Sequence, residues 1–307
     1  MSDLKTALTP PDREAEAIAT RERSLPRIVA ARFFRHRLAV TSLIVFALIA
    51  AFAFIGPLLW KYDHQIDLIN IQPNEEPSLE HPLGTTSAGH DVFAQLMRGT
   101  QQSLKVAFTV ALLATVIGAV SGAVAGFYRG WIDSVIMRTV DVIFVVPFLA
   151  ITAALSATVK GGVTWLHMAL ILGLLGWLAT ARVVRAEVLS LREKEFIESA
   201  RASGAGDGRI IFRHLLPNTA GVIIVAATLQ IATAILAEAA LSYLGLGIQS
   251  PDTSLGLMIE KASSAAATRP WLFYAPGTMI VLICLVVNFI GDGLRDALDP
   301  RQTLVRK

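Results

Sequence analysis

Apolar residues in this chain come in runs far longer than a soluble core needs, and the polar residues fall in the gaps between them. Nearly uninterrupted apolar stretches cover about 38–60, 106–128, 132–159, 165–184, 219–244 and 272–290. As a helix, each can cross the roughly 30 Å of hydrocarbon in a bilayer. No water meets the backbone N–H and C=O groups inside lipid, so each run must satisfy them internally, and a helix does so. The pattern predicts an all-α polytopic membrane protein with six transmembrane helices. The third run is interrupted by Asp141 and Pro147. The fourth continues as a helix past its apolar part, through Arg185 and Glu187.

The gaps define the rest of the organisation. Residues 1–37 form a polar tail with Pro10, Pro11 and Pro26, expected to be mobile up to about Leu25. Its end, Pro26 to Arg37, mixes Arg27, Arg32, Arg35 and Arg37 with Ile28, Val29, Phe33 and Phe34. That mixture predicts a helix on the membrane surface leading into the first span, 38–60. A polar segment follows over 61–105, then a five-helix core over 106–293, then a second tail over 294–307. Within the core, 248–271 is polar and holds a short helix between Pro251 and Pro270. Gly118, Gly122 and Gly126 recur every four residues in the second span and give it a small-residue face for close helix packing.

One polar stretch inside the core, the loop 195–218, is itself helical in pattern. Phe196, Ala200 and Ser203 share a helical face at spacings of four and three. Gly204 sits where a left-handed residue ends a helix. Asp207 is then the expected N-cap of a second short helix that buries Ile211 and Leu215, four apart, with Pro217 closing it. A short amphipathic helix pinned between two spans can seat in a groove of a soluble partner and pass its motion to the spans. The small residues Ala200, Ser203 and Gly204 would permit close approach.

Composition agrees with the membrane reading: 54% of residues are hydrophobic and 17% charged, against about a quarter charged in soluble domains. The net charge of +3 is modest and the basic residues flank spans, which argues against nucleic acid as a partner and for membrane lipid. With both termini and the loop 195–218 on one side, 21 of the 27 Lys and Arg residues fall there. By the positive-inside rule that side is the cytoplasm. The single cysteine, Cys284, excludes an internal disulfide and lies in an apolar run, where it packs.

Catalytic patterns are absent. There is no H-E-x-x-H, no G-x-S-x-G and no G-x-x-x-x-G-K-[ST], so neither a zincin-type metal site nor a P-loop is expected here. His36, His64, His81, His90, His167 and His214 are scattered without ligand spacing and read as surface histidines. The ionisable residues at membrane depth are Asp141 and Glu238, each a candidate for the solute path or for polar contact between helices. Arg138, three residues before Asp141, offers it a local ion pair, while Glu238, Gln230 and Asn288 suit capping or interhelical hydrogen bonds.

The loop also carries a family pattern. Glu198, Ala200, Gly204 and Leu216-Pro217 resemble the EAA loop of binding-protein-dependent ABC importer permeases, with Ser199 in place of the first Ala. The run H-P-L-G-T-T-S-A-G-H-D-V-F-A-Q-L-M-R-G-T-Q-Q-S-L is similar to the family's stretch before the second span, although His90 stands where members usually have a basic residue. A-E-A-A-L-S-Y-L-G-L-G is shared with the family as well, and G-D-G-L-R-D-A-L-D-P-R resembles the C-type subunit of dipeptide and oligopeptide importers. The resemblance implies an inner-membrane permease subunit with both termini cytoplasmic. It would pair with a second homologous permease subunit and sit on two ATPase domains, which hold the ATP and Mg, so no cofactor and no catalysis belong to this chain. An extracytoplasmic solute-binding protein would deliver a peptide, or in related systems nickel, glutathione or haem. The resemblance places Phe196, Ile197, Glu198, Ser199, Ala200, Arg201, Ser203, Gly204 and Asp207 at the ATPase contact. The rival class is a secondary transporter or channel, for which no convincing internal repeat is found.

Overall fold

The computed structural model describes residues 25–67 and 71–298. Residues 1–24, the part of the tail expected to be mobile, lie outside that range, as do residues 68–70 and 299–307. The described residues fold as helices: α1 (Leu25–Phe33), α2 (Arg37–Phe54), α3 (Gly56–Leu59), α4 (Val92–Tyr128), α5 (Gly130–Val145), α6 (Phe148–Ala157) and α7 (Trp165–Leu191). After these come α8 (Glu195–Ala202), α9 (Asp207–Arg209), a π-helical turn (Ile210–Leu215), α10 (Leu216–Asn218), α11 (Ala220–Tyr243), α12 (Leu255–Ala262) and α13 (Pro270–Leu298). Helices α2, α4, α7, α11 and α13 are each long and apolar enough to cross a membrane, and the bent pair α5–α6, counted as one span, brings the number to six.

The centre of the bundle is the pairing of α4 with α7. The three glycines of the second span mark it. A Cβ at Gly118 would lie 2.6 Å from Thr180 Cβ, and one at Gly126 would lie 2.9 Å from the Arg185 carbonyl oxygen. At Gly122 it would collide with the Ala181 carbonyl. The small-residue face therefore meets the backbone of α7. In lipid, where apolar side chains gain little by leaving their surroundings, such backbone proximity is what makes helices associate.

Helix α4 starts at Val92, well before the apolar run that begins near residue 106. Asp91 starts it by accepting the Ala94 N–H at 2.7 Å. The polar turns that follow survive because their side chains are engaged. Thr100 donates to the Leu96 carbonyl at 2.7 Å, Gln102 donates to Asp252, and Ser103 donates to Glu238 at 3.0 Å.

The third span breaks where its sequence was irregular. Helices α5 and α6 meet at 86° across Val146 and Pro147. Proline lacks the N–H that would continue the ladder and pushes its predecessor into extended backbone, and Val146 has φ −74° and ψ 129°. Asp141 pairs with Arg182 of α7 at 2.6 Å, not with Arg138, which corrects the local pair expected from spacing. Arg182 also lies 4.3 Å over the Phe144 ring, so its planar fork engages a carboxylate and a ring together, which the neighbour three residues away does not do. Two turns nearer the start of α5, Asp133 takes a second pair with Arg185 at 2.5 Å.

The core has three parts. The main cluster joins the long helices through Ile49, Leu104, Leu172, Ile235, Leu255 and Ile283. A second gathers at the end of α4 and α7 nearest α8. A third seats Phe33 and Ala39 on Ala297 of α13, so α1 leans on the last helix.

Adding two methyl groups and a Cβ at Gly122 should force α4 off α7. Gly122→Val is expected to lower stability by about 1–3 kcal/mol. Gly208→Ala, where a Cβ meets nothing within 4 Å, should cost far less. Thermal unfolding of the two purified variants in detergent checks this, and equal melting temperatures would contradict it.

Candidate functional site

The loop between α7 and α11 is an elbow with an inner and an outer side. Lys194, in extended backbone, precedes α8, and Glu195 and Glu198 fall in its first turn where the helix dipole favours acids. Ile197 is fully buried. Together with Ile210, Ile211 and Leu215 it packs onto Ala119, Ala123 and Phe127 of α4 and onto Val184 and Val188 of α7. The elbow is thus seated on the same helix pair that the glycines hold together.

The opposite side of α8 faces out. Phe196 is 40% exposed; Glu198, Ser199, Arg201, Ser203, Gly204 and Asp207 are exposed as well, and Ala200 is half-buried. Of the nine residues expected at a partner contact, Ile197 therefore turns inward and the others lie at the surface. Gly204 adopts φ +79°, the left-handed conformation that ends α8 without strain only for glycine. Its N–H donates to the Arg201 carbonyl at 2.9 Å and the Ala205 N–H to the Ala200 carbonyl at 3.0 Å.

Two local expectations are corrected here. Asp207 does not cap the second short helix; Gly206 holds that position and Asp207 is its first residue, with no side-chain cap bond. Pro217 does not close the helix. The backbone widens into a π turn, in which Leu216 N–H reaches back five residues to the Ile211 carbonyl, and α10 then runs through the proline. A π turn absorbs one extra residue, so the chain passes the proline without a sharp stop.

Basic side chains lock the rim of the elbow. Arg192 donates to the Phe127 carbonyl at 2.5 Å, and Arg201 lies 5.5 Å from the centre of the Phe127 ring. Burial, with the like charges of Arg129 and Arg201 nearby, lowers the pKa of Arg192 from its ordinary value. Arg129 in turn meets Glu193 at 3.3 Å.

A second polar assembly lies at the other end of the bundle. Glu238 is fully buried in α11, and among the described residues no basic side chain hydrogen-bonds to it. Ser242 donates to it at 2.7 Å and Ser103 of α4 at 3.0 Å. The Leu255 N–H donates to Ser103 Oγ, and Ser254 caps α12 and donates to Ser242. Glu238 thus ties α4, α11 and the start of α12 together. Glycine permits this closeness, since a Cβ at Gly256 would lie 2.6 Å from Ala239 Cα. Above it, Arg98 grips Asp252 in a two-pronged pair at 2.9 and 3.1 Å.

His81 is buried, not a surface histidine: its Nδ1 meets Asp91 at 2.6 Å under the Tyr62 ring. Asp91 needs both oxygens there, one for the histidine and one to cap α4. His90 nearby is half-buried, and that burial lowers its pKa. None of Ser103, Asp252 or Ser254 stood out in the sequence, because their partners lie more than 130 residues away or on another element. Among the described residues no three His, Cys, Asp or Glu side chains gather as a metal-holding group.

Comparison with known proteins decides what this bundle is. The family described as binding-protein-dependent transport system inner membrane component matches residues 114–304, which include α7, the elbow and α11. The chain belongs to that family. The N-terminal TM domain of oligopeptide transport permease C matches residues 24–77. The permease is 41% identical over 280 residues to the oligopeptide transport system permease protein OppC of Mycobacterium bovis, covering 91% of this chain and 96% of that one. It is 40% identical over 289 residues to OppC of Escherichia coli, covering 94% and 95%. A putative peptide permease protein of Brucella suis is 41% identical over 278 residues, covering 90% and 91%. In fold, the permease superposes on an inward-facing methionine ABC transporter, MetNI, with a TM-score of 0.57 and 20% identity, over 67% of this chain and 97% of that one. It is therefore a multi-pass inner-membrane subunit of an ABC importer, and a transport component rather than a catalytic enzyme. The family implies partner permease and ATPase subunits.

Two variants test the two assemblies. Ile197→Ala should cost about 2–5 kcal/mol through the cavity it leaves, lowering the melting temperature and exposing the elbow to limited proteolysis. Unchanged proteolysis would contradict the seating. Glu238→Leu should cost about 1–3 kcal/mol by orphaning the Ser103 and Ser242 hydroxyls, and Glu238→Gln, which keeps an acceptor, should cost less. Equal melting of the leucine and glutamine variants would contradict the assigned hydrogen bonds.

Proposed function

We propose that this permease, with a second homologous permease subunit, forms the path for di- or oligopeptides in an ATP-driven importer. The elbow is its coupling element: two ATPase domains, carrying ATP and Mg, seat the outer face of α8 and push it. An extracytoplasmic solute-binding protein delivers the cargo. ATP binding closes the ATPases, the elbow moves with them, and the path changes the side to which it opens. Hydrolysis resets it.

The observation that carries this reading is the two-sidedness of the elbow. Ile197, Ile210, Ile211 and Leu215 are buried against α4 and α7, while Phe196, Ser199 and Ser203 are left exposed on the other side. A lever needs both: a rigid seat in the part to be moved and a free face for the part that moves it. The charge distribution supports placing the elbow and both termini in the cytoplasm, where ATP is. Peptide is the favoured cargo because the relatives of highest identity above carry peptide-transport names. A secondary transporter would instead need its own coupling-ion site.

Ser199→Trp tests the lever. Ser199 is exposed on α8, so the substitution should leave folding intact while blocking close approach of a partner. Overpacking a tight contact costs about 1–3 kcal/mol, or roughly 5- to 150-fold in association. The variant should reach the membrane at normal levels and pull down less ATPase subunit. Normal recovery of the ATPase would refute the assigned face.

A further inference from the structure

The broken third span holds a feature that the elbow does not use. From Asp141 to Ala150 every residue is exposed except Ile143, which is half-buried. Val145 is 83% exposed, and the paired side chains of Asp141 and Arg182 are 56% and 47% exposed. Helix α5 has 16 residues and rises about 24 Å from Gly130, short of the roughly 30 Å of hydrocarbon, so the break falls at membrane depth.

The break also leaves backbone groups unmet. Pro147 precedes α6 without a side-chain cap, and the amides of Phe148 and Leu149 have no backbone acceptor among the described residues. Three surroundings could cover such a face. Lipid does not suit it, because the guanidinium donors left over by the ion pair and the open amides at that depth would find no acceptor in hydrocarbon. A dry helix from a partner subunit would have to strip water from both charges and from the free amides, and a desolvated pair seldom recovers that cost. Water meets the charges and the amides alike, and irregular backbone at membrane depth is tolerated where it lines a water-filled cavity.

We propose that the face Asp141–Leu149, with Arg182 beside it, lines the water-filled translocation path, and that Asp141 and Arg182 are the charged pair a hydrated solute meets near the middle of the membrane. A solute with both an ammonium and a carboxylate, as a peptide has, finds the opposite charge for each in this pair. The inference rests on the importer reading and adds to it the path-lining element and its charges.

Thiol accessibility tests it in the assembled transporter, in inside-out and right-side-out membranes. In a Cys284→Ala background, Val142→Cys, Val145→Cys and Leu149→Cys are exposed in turn to the membrane-impermeant anionic reagent MTSES. Leu112→Cys and Val116→Cys on the uncharged stretch of α4 serve for comparison; both native residues are exposed in the monomer. Reaction at the three α5–α6 positions should be at least roughly tenfold faster than at the two α4 positions, and ATP with vanadate should change it. A complex that hydrolyses ATP yet leaves the three positions unreactive overturns this inference alone. A complex with no ATP hydrolysis overturns the importer reading and this inference with it.

Discussion

Everything in this molecule is fastened to the contact of α4 with α7. A bilayer supplies no hydrophobic reward for pressing two apolar helices together, so the association has to come from close packing of the backbones themselves. Gly118, Gly122 and Gly126 allow it by leaving no Cβ between α4 and the carbonyls of α7. Once the two helices lie that close, their ends project together. One shared end forms the seat for Ile197 and the elbow, and toward the other Ser103 of α4 reaches across to Glu238.

The polar groups show how the fold provides partners for its charges. Each solution uses a different neighbour. Glu238 is met by hydroxyls that are themselves fed by backbone N–H groups near the start of α12, so its carboxyl group is hydrogen-bonded from several elements, with no cation bonded to it among the described residues. Asp133 and Asp141 instead reach arginines one helix away, with geometry that the sequence neighbour Arg138 does not supply. Asp91 divides its two oxygens between a helix cap and a buried histidine. Hydroxyl cluster, interhelical ion pair and cap all join separate elements, and in doing so they define which helices are neighbours.

In the importer proposed above, the elbow and the broken span would have separate tasks. The elbow is stiff because its inner residues sit in a packed cluster, and a stiff element transmits displacement instead of absorbing it. The broken span is exposed along its bend and carries charge there. Both are joined to α7, one through Val184 and Val188, the other through Arg182 and Arg185, which stand within two turns of each other. A push on the elbow therefore acts on the same short length of helix that holds the ion pairs.

The apolar helices and the polar elbow were legible in the sequence, because lipid forces one local rule on every span and a run of apolar residues obeys it in isolation. The glycine face and the break at Pro147 were legible for the same reason, since each is a property of a few adjacent residues. The partners were not. That Gly122 meets Ala181, that Asp141 chooses Arg182, that Ile197 turns inward while Phe196 does not, and that His81 is buried all depend on residues brought close from other elements. Local periodicity determines that a helix forms and which of its faces is small, polar or apolar. Only the packed tertiary structure decides what each face meets, because contact energy at membrane depth depends on distances between chain segments that the linear order of residues does not contain.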